Sequence, residues 1–226
     1  MERKICVSMA NKKLGNGAIP SISLPQYVTC NPEARKHCGV ACYAKFLTGY
    51  RKNVRAAYLK NYDIYREDPN GYFESLYLWI SEKKPEYFRY HASGDIPDSR
   101  YFACMVDLAN RIPEAVFMAY TKQYDIVNGW MAEHGGEIPE NLHIWFSGWG
   151  TAISFENPYH FNRTDLIFGD KLKALQVEHT GETFLCPGAC VNCKMCYLGG
   201  DERFRDDRIR YKGVERNGTG GKFFGC

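Results

Sequence analysis

The chain alternates between two kinds of apolar segment. Residues 88–95, 116–122 and 141–149 are short, rich in aromatic and aliphatic side chains, and each runs into polar residues. Residues 98–111 and 124–133 instead have apolar side chains at three-to-four spacing, which is typical of helices. Strands that alternate with helices at this spacing predict βα units and a parallel sheet. Because these strands are apolar on both faces, we expect helices to cover the sheet.

The spacing of apolar residues in the N-terminal third predicts one strand and two helices. A short strand is predicted at 4–9, and an irregular loop holds the first cysteines. Helical spacing then runs over 43–68 and again over 72–83. Four or five βα units are too few for a closed eight-stranded barrel. The predicted fold class is therefore α/β, as a partial βα barrel or an open, mostly parallel sheet flanked by helices.

Composition is consistent with one globular domain. The chain has 226 residues, of which 45% are hydrophobic, and this suits a single sizeable core. We expect an α/β metal-binding domain over 1–198 and a polar, glycine-rich tail over 199–226. The net charge is only +3, which disfavours a nucleic-acid partner. No apolar run is long enough to span a membrane, so no membrane partner is expected.

Seven of the ten cysteines fall into two groups. The first group is Cys30, Cys38 and Cys42, and the second is Cys186, Cys190, Cys193 and Cys196. Most disulfide pairings between such near neighbours are geometrically strained, and a chain with no secretion signal is expected in a reducing compartment. Metal ligation uses all seven thiols, whereas Cys6, Cys104 and Cys226 are isolated and have no predicted role in a site.

The spacing of the cysteines favours iron over zinc. Zinc sites usually present two C-x2-C pairs separated by a longer loop, but the second group packs four cysteines into eleven residues, as in iron–sulfur proteins. Seven thiolates would satisfy one cluster with four protein ligands and one with three. A 4Fe–4S cluster with three ligands leaves one iron open to a substrate. One cluster shared by both groups also fits, and zinc is the alternative metal.

Polar residues follow the predicted strands and are candidates for an active site. In a parallel sheet the carboxyl ends of the strands meet at one edge, where functional groups gather. The candidates there are His91, Ser93, Gly94, Asp95 and Lys122. Asp95 equally suits a loop leading into a helix, and a lone strand histidine such as His91 is often a core residue. Trp145 and Trp149 are expected to shield a cluster from solvent.

Several motifs in order resemble one protein family. PSISLPQ, NVRAAYLKN, FRYHASGDIPDSRYF, YTKQYDIVN and CPGACVNCKMCY resemble the gene product 88 family of bacteriophages and bacterial mobile elements, over residues 7–198. The resemblance implies a phage or prophage origin and residence in the host cytoplasm. It supplies no activity. The family pattern includes both cysteine groups, the Ser93-Gly94-Asp95 turn, and Thr121, Lys122 and Tyr124.

A more distant likeness is to radical S-adenosylmethionine enzymes. These enzymes carry three cysteines after the first strand of a partial barrel, and bind the methionine amino group near a glycine-acidic turn after the next strand. The likeness implies that Ser93, Gly94 and Asp95 bind S-adenosylmethionine. Their usual C-x3-C-x2-C spacing occurs here at Cys186, not at Cys30.

The sequence thus supports two hypotheses. The first is an iron–sulfur protein with redox or radical-type activity, in which Asp95, Lys122 and His91 are the candidate catalytic residues. It needs an electron donor or a small-molecule substrate, which the sequence does not identify. The second is a zinc-stabilised module that binds nucleic acid or a host protein.

Overall fold

The computed structural model describes residues 4–38, 42–148, 154–168, 183–199 and 207–212. This part of the chain contains one eight-stranded sheet. Its strands are β1 (Val7–Ser8), β2 (Ser21–Ile22), β3 (Tyr87–Tyr90), β4 (Val116–Thr121), β5 (Leu142–Ser147), β6 (Asn162–Phe168), β7 (Thr183–Leu185) and β8 (Asp207–Lys212). The spatial order is β1-β2-β3-β4-β5-β6-β8-β7. Only β1 is antiparallel to its neighbour.

Helices connect the parallel strands. They are α1 (Pro32–Cys38), α2 (Tyr43–Tyr50), α3 (Lys52–Glu67), α4 (Pro69–Lys83), α5 (Ser99–Arg111), α6 (Tyr124–Glu133) and the single turn α7 (Cys190–Cys193). Asp68 and Asp98 start α4 and α5, because their carboxylates accept hydrogen bonds from the backbone N–H groups of Gly71 and Tyr101. Within the described ranges, no helix combines the length and apolar character needed to cross a bilayer.

The long helices α3 to α6 pack against one face of the sheet. There, Phe88, Phe117 and Ile144 belong to a large core with residues from all four helices. The other face has a smaller core containing Leu14, Met118, Trp145, Cys196 and Tyr197. We call this the cysteine face, because the segment 190–197 packs onto it. The sheet thus separates an apolar helical layer from a face that carries cysteines.

The predicted alternation of strands and helices, and a mostly parallel sheet, are confirmed. The helix predicted at 124–133 has the predicted bounds. One difference is α1, which lies in the predicted irregular loop. Its start is stabilised locally, because Asn31 Oδ1 accepts hydrogen bonds from the backbone N–H groups of Glu33 and Ala34. A second is the helix predicted at 43–68, which is divided at Arg51 into α2 and α3.

Strands β6 and β8 were not predicted. Strand β8 lies within the predicted polar tail, yet it pairs with β6 and with β7. Its sequence, DRIRYK, has the polar composition of an exposed segment, and only its two neighbours make it part of the sheet. Trp149 and Cys226 lie outside the described residues, and the boundary at residue 198 stays a prediction.

Candidate functional site

Asp95 joins three segments at the carboxyl end of the sheet. Its carboxylate accepts hydrogen bonds from Thr121 Oγ1 at 2.6 Å, from the Lys122 backbone N–H at 2.8 Å and from the Ile96 N–H at 2.8 Å. Its own N–H donates to Thr29 Oγ1 at 2.9 Å. Burial raises the pKa of Asp95 to about 6, although these hydrogen bonds oppose the rise. Asp95 therefore holds the ends of β3 and β4 against the cysteine-bearing loop.

Gly94 allows this loop to approach closely. Its φ is +75°, and a Cβ atom there would lie 2.6 Å from the Leu24 carbonyl oxygen and 2.7 Å from Thr29 Oγ1. The backbone N–H of Leu24 also donates to the Ser93 carbonyl. Only glycine meets both the conformational and the steric requirement. The predicted Ser93-Gly94-Asp95 turn is thus the contact surface for the segment that leads to Cys30.

Cys30 is fixed in place by both of its neighbours. The Thr29 carbonyl accepts a hydrogen bond from Gln123 Nε2 at 2.9 Å, and Asn31 Nδ2 donates to the Lys122 carbonyl at 2.9 Å. Both bonds reach the end of β4. Burial raises the pKa of Cys30 to about 12, and the charge of Asp95 adds to the rise. Cys30 is therefore a protonated thiol at neutral pH beside the strand ends.

The first cysteine group gathers around Tyr27. The pKa of Tyr27 is raised by burial and then by the charges of Cys42, Cys38 and Cys30, which places all three within electrostatic range of one phenol. Burial also raises the pKa of Cys38, and the nearby Lys122 ammonium opposes this rise. The three cysteines, separated by up to twelve residues, thus share one neighbourhood with two of the predicted polar residues.

Lys122 lies on the cysteine face at the end of β4. Its Nζ donates a hydrogen bond to Ser147 Oγ at 2.5 Å, which ties together the ends of β4 and β5. The Lys122 backbone N–H donates its hydrogen bond to Asp95 Oδ2. Ser93 contacts the segment that leads to Cys30, since its Oγ donates a hydrogen bond to Gln26 Oε1 at 3.3 Å.

His91 lies on the helix face. Its Nε2 is 3.1 Å from the Tyr101 hydroxyl of α5, and the two rings are 5.3 Å apart. It is 4% exposed, and burial, followed by the charge of Arg89, lowers its pKa to about 3. These contacts are those of a neutral core histidine, and its catalytic role stays a prediction.

The second cysteine group covers the cysteine face. Gly188 turns the chain at φ +77°, and Cys190 and Cys193 begin and end the turn α7. Cys196 is buried, with its Sγ 2.7 Å from the Tyr120 hydroxyl, and its carbonyl accepts a hydrogen bond from Trp145 Nε1 at 3.0 Å. Trp145 thus positions the segment, and its shielding of a cluster stays a prediction.

The donor chemistry fits a thiophilic metal, but the sulfurs are not gathered tightly. None of the first group forms a disulfide, so three thiols are present in one neighbourhood. Within the described ranges, however, no three Cys, His, Asp or Glu side chains are close enough to hold a metal ion. The seven predicted ligands therefore stay predictions.

Arg89 was missed from the sequence. It lies on β3, is 3% exposed, and its guanidinium is 5.0 Å from the centre of the Tyr120 ring. Burial lowers the pKa of Arg89, but Cys190, Tyr197 and Tyr120 raise it by more, so its pKa lies above the ordinary value. The available signal was an arginine in the centre of a strand that should be apolar on both faces.

Comparison with known proteins gives one consistent result. The model of the family "Gene product 88" matches residues 3–171. The "Gene 88 protein" of Mycobacterium phage L5 is 31% identical over 88% of this chain and 92% of its own length. The protein of the same name from Mycobacterium phage D29 is 30% identical over 65% of each chain. No solved structure matches.

Proposed function

We propose that this chain, which belongs to the gene product 88 family, is an iron–sulfur protein of the host cytoplasm with redox or radical-type activity. The observation that carries the proposal is the first cysteine group. Cys30, Cys38 and Cys42 share one neighbourhood at the carboxyl ends of parallel strands, beside Asp95 and Lys122. In α/β folds this edge is where reactive groups collect.

The topology supports the same assignment. Strands β2 to β6 follow one another in spatial order, and helices α3 to α6 lie on one face. This order is compatible with a partial βα barrel, whose interior would be the cysteine face. The cysteines follow β2, and the Ser93-Gly94-Asp95 turn follows β3. The radical S-adenosylmethionine likeness expects a cluster after an early strand and a cofactor after the next one, and the proposal assigns these two segments to them.

Each residue has a role in this proposal. Cys30, Cys38 and Cys42 would hold one cluster, which would supply electron transfer and leave one iron open to a substrate or to S-adenosylmethionine. Asp95 positions Cys30 through Thr29, and the Lys122 ammonium offsets the negative charge of the thiolates. Cys186, Cys190, Cys193 and Cys196 would hold a second cluster, or complete a shared one. Binding has to draw the sulfurs closer together than they lie now.

Metal analysis of a cysteine variant tests the proposal. Protein purified without oxygen should be brown and contain iron and acid-labile sulfide, and Cys38→Ser should lower the iron content by at least the share of one cluster. Cys104→Ser is the matched control, because Cys104 is a half-buried thiol on α5 far from either group in sequence, and it should keep its iron.

Two outcomes would contradict the proposal. Colourless protein with stoichiometric zinc would make the cysteines structural and favour the zinc-stabilised binding module. Full iron content and an unchanged visible spectrum in Cys38→Ser would show that the first group is not a ligand set.

A further inference from the structure

Arg89 is a buried charge with no protein counter-ion among the described residues. It is 3% exposed, and the ion pairs of the described ranges involve other residues. Burying a charge without a partner costs several kcal/mol, so proteins rarely do it without a function. The Tyr120 ring beneath the guanidinium compensates only in part, since a cation–π contact contributes about 0.5–2 kcal/mol.

Hydrogen-bonding groups around Arg89 are also unsatisfied. Among the described residues, the buried polar atoms on the cysteine face with no hydrogen-bond partner are Ser21 Oγ, Arg89 Nε and Tyr197 Oη, together with Thr164 Oγ1 three strands away on β6. Ser21 is the direct register neighbour of Arg89 on β2. Burial raises the pKa of Tyr197, and the Arg89 guanidinium is close enough for its charge to oppose this rise. Buried polar atoms are normally paired. Four other unpaired ones belong to Tyr90, His91, Asn128 and Trp130, but those of Ser21 and Tyr197 accompany a buried charge, and this combination indicates a ligand at Arg89.

The cysteine face also carries polar side chains at the carboxyl edge of the sheet. Thr164 is paired in register with Ser147, whose hydroxyl binds the half-buried Lys122. Arg89 is paired with Met118, further from the carboxyl ends. A ligand that enters at the strand ends would therefore meet Lys122 first and Arg89 at the far end.

We propose that Arg89 anchors a binding site on the cysteine face for the carboxylate or phosphate group of a small molecule. A guanidinium presents several N–H donors in a planar fork that matches the oxygens of these groups. The hydroxyls of Ser21 and Tyr197 supply further donors. The site uses no predicted metal ligand, so it goes beyond the proposed function and stands if that function fails.

Anion-dependent thermal stability tests this site. The melting temperature of the protein as purified is measured in sodium phosphate and in sodium acetate, each against sodium chloride at equal ionic strength. At about ten times the dissociation constant, a specific anion should raise the melting temperature by roughly 3–5 °C. The phosphate and acetate arms distinguish the two classes of ligand.

Variants at Arg89 make the test specific. Arg89→Met removes the fork but keeps an unbranched side chain, and should abolish the anion-dependent shift without lowering the melting temperature in chloride. Arg89→Lys keeps the charge without the fork and should reduce the shift. Arg66→Met is the matched control, because Arg66 is exposed on α3 and lies over the Tyr62 ring, and it should respond as the wild type does.

Three results would overturn the proposal. The first is a wild-type protein that phosphate and acetate stabilise no more than chloride does. The second is an undiminished shift in Arg89→Met or, if that variant does not fold, in Arg89→Lys. The third is loss of bound metal from the Arg89 variants in place of the anion response, which would make Arg89 the counter-charge of thiolates at Cys190.

Discussion

Individual residues at this site differ in how far their surroundings compensate their burial. Asp95 is buried, but its carboxylate accepts hydrogen bonds from three donors. These hydrogen bonds stabilise its charged form. Arg89 is buried with an aromatic ring and an unpaired Nε. His91 avoids the free-energy cost of a buried charge, because burial lowers its pKa to about 3 and the side chain stays neutral. The uncompensated residue is the one expected to bind a ligand.

His91 should make the protein sensitive to acid. The unfolded chain takes up a proton at His91 below its ordinary pKa of about 6.5, but the folded chain does so only near pH 3. Stability from this residue is therefore complete above pH 6.5 and is lost as the pH falls towards 3, by at most about 5 kcal/mol. His91→Phe should flatten this part of the profile of unfolding free energy against pH, as measured by urea unfolding between pH 4.5 and 7.5.

The control for this prediction is His160→Asn. His160 is exposed and has φ +55°, a conformation that asparagine tolerates. It should keep the wild-type slope. An equal acid slope in wild type and His91→Phe would show that other groups cause the loss of stability.

At the scale of elements, the junction between β3, β4 and the cysteine-bearing loop decides where the first group lies. Sequence periodicity predicted the strands and α6, since these depend on local apolar patterns. It did not predict α1, because the capping Asn31 lies in a segment with loop composition. Nor did it predict that Asn31 and Gln123 tie Cys30 to the end of β4. Those bonds join residues more than ninety positions apart.

Gly94→Ala should disrupt this junction. The new Cβ would lie 2.6 Å from the Leu24 carbonyl oxygen, at a φ of +75°, so the loop has to move away. We expect a loss of at least about 2 kcal/mol in the free energy of unfolding, as measured by urea unfolding. If the protein carries the proposed cluster, metal analysis should also find less metal in this variant.

Gly129→Ala is the matched control for the junction. Gly129 lies in α6, where a Cβ meets no atom within 4 Å, so alanine should raise stability by about 0.5–1 kcal/mol. If Gly94→Ala behaved like this control, the close contact between loop and turn would not be needed for folding.

At the scale of the molecule, the sheet has two cores of different character. The helix face is large and aromatic, whereas the cysteine face has a small core that contains Leu14, Trp145 and Tyr197. Tyr197 is 1% exposed and packs edge-on against Tyr87. This ring therefore holds the second cysteine group on the sheet.

Tyr197→Ala should release that segment. Removing a buried aromatic ring costs about 3–5 kcal/mol, and here the loss falls on the contacts of residues 190–197 with the sheet. We expect faster proteolysis within this segment before the helices unfold, followed by mass spectrometry of the fragments. Tyr50→Ala is the control, because Tyr50 is 70% exposed. Equal cleavage rates in the two variants would contradict the conclusion that the Tyr197 ring holds residues 190–197 on the sheet.

The sequence by itself determined the local and repetitive properties of this protein. Apolar spacing specified the α/β class, most helices and the central strands, because these patterns repeat over a few residues. Motif order indicated the gene product 88 family, and cysteine spacing indicated where metal ligands are expected. The tertiary structure decided what depends on distant parts of the chain. In the folded chain Arg89 lies near Cys190, and three cysteines lie around Tyr27. His91 lies on the helix face, where it contacts Tyr101, and β8 is part of the sheet because it pairs with β6. None of these contacts follows from a local pattern in the sequence.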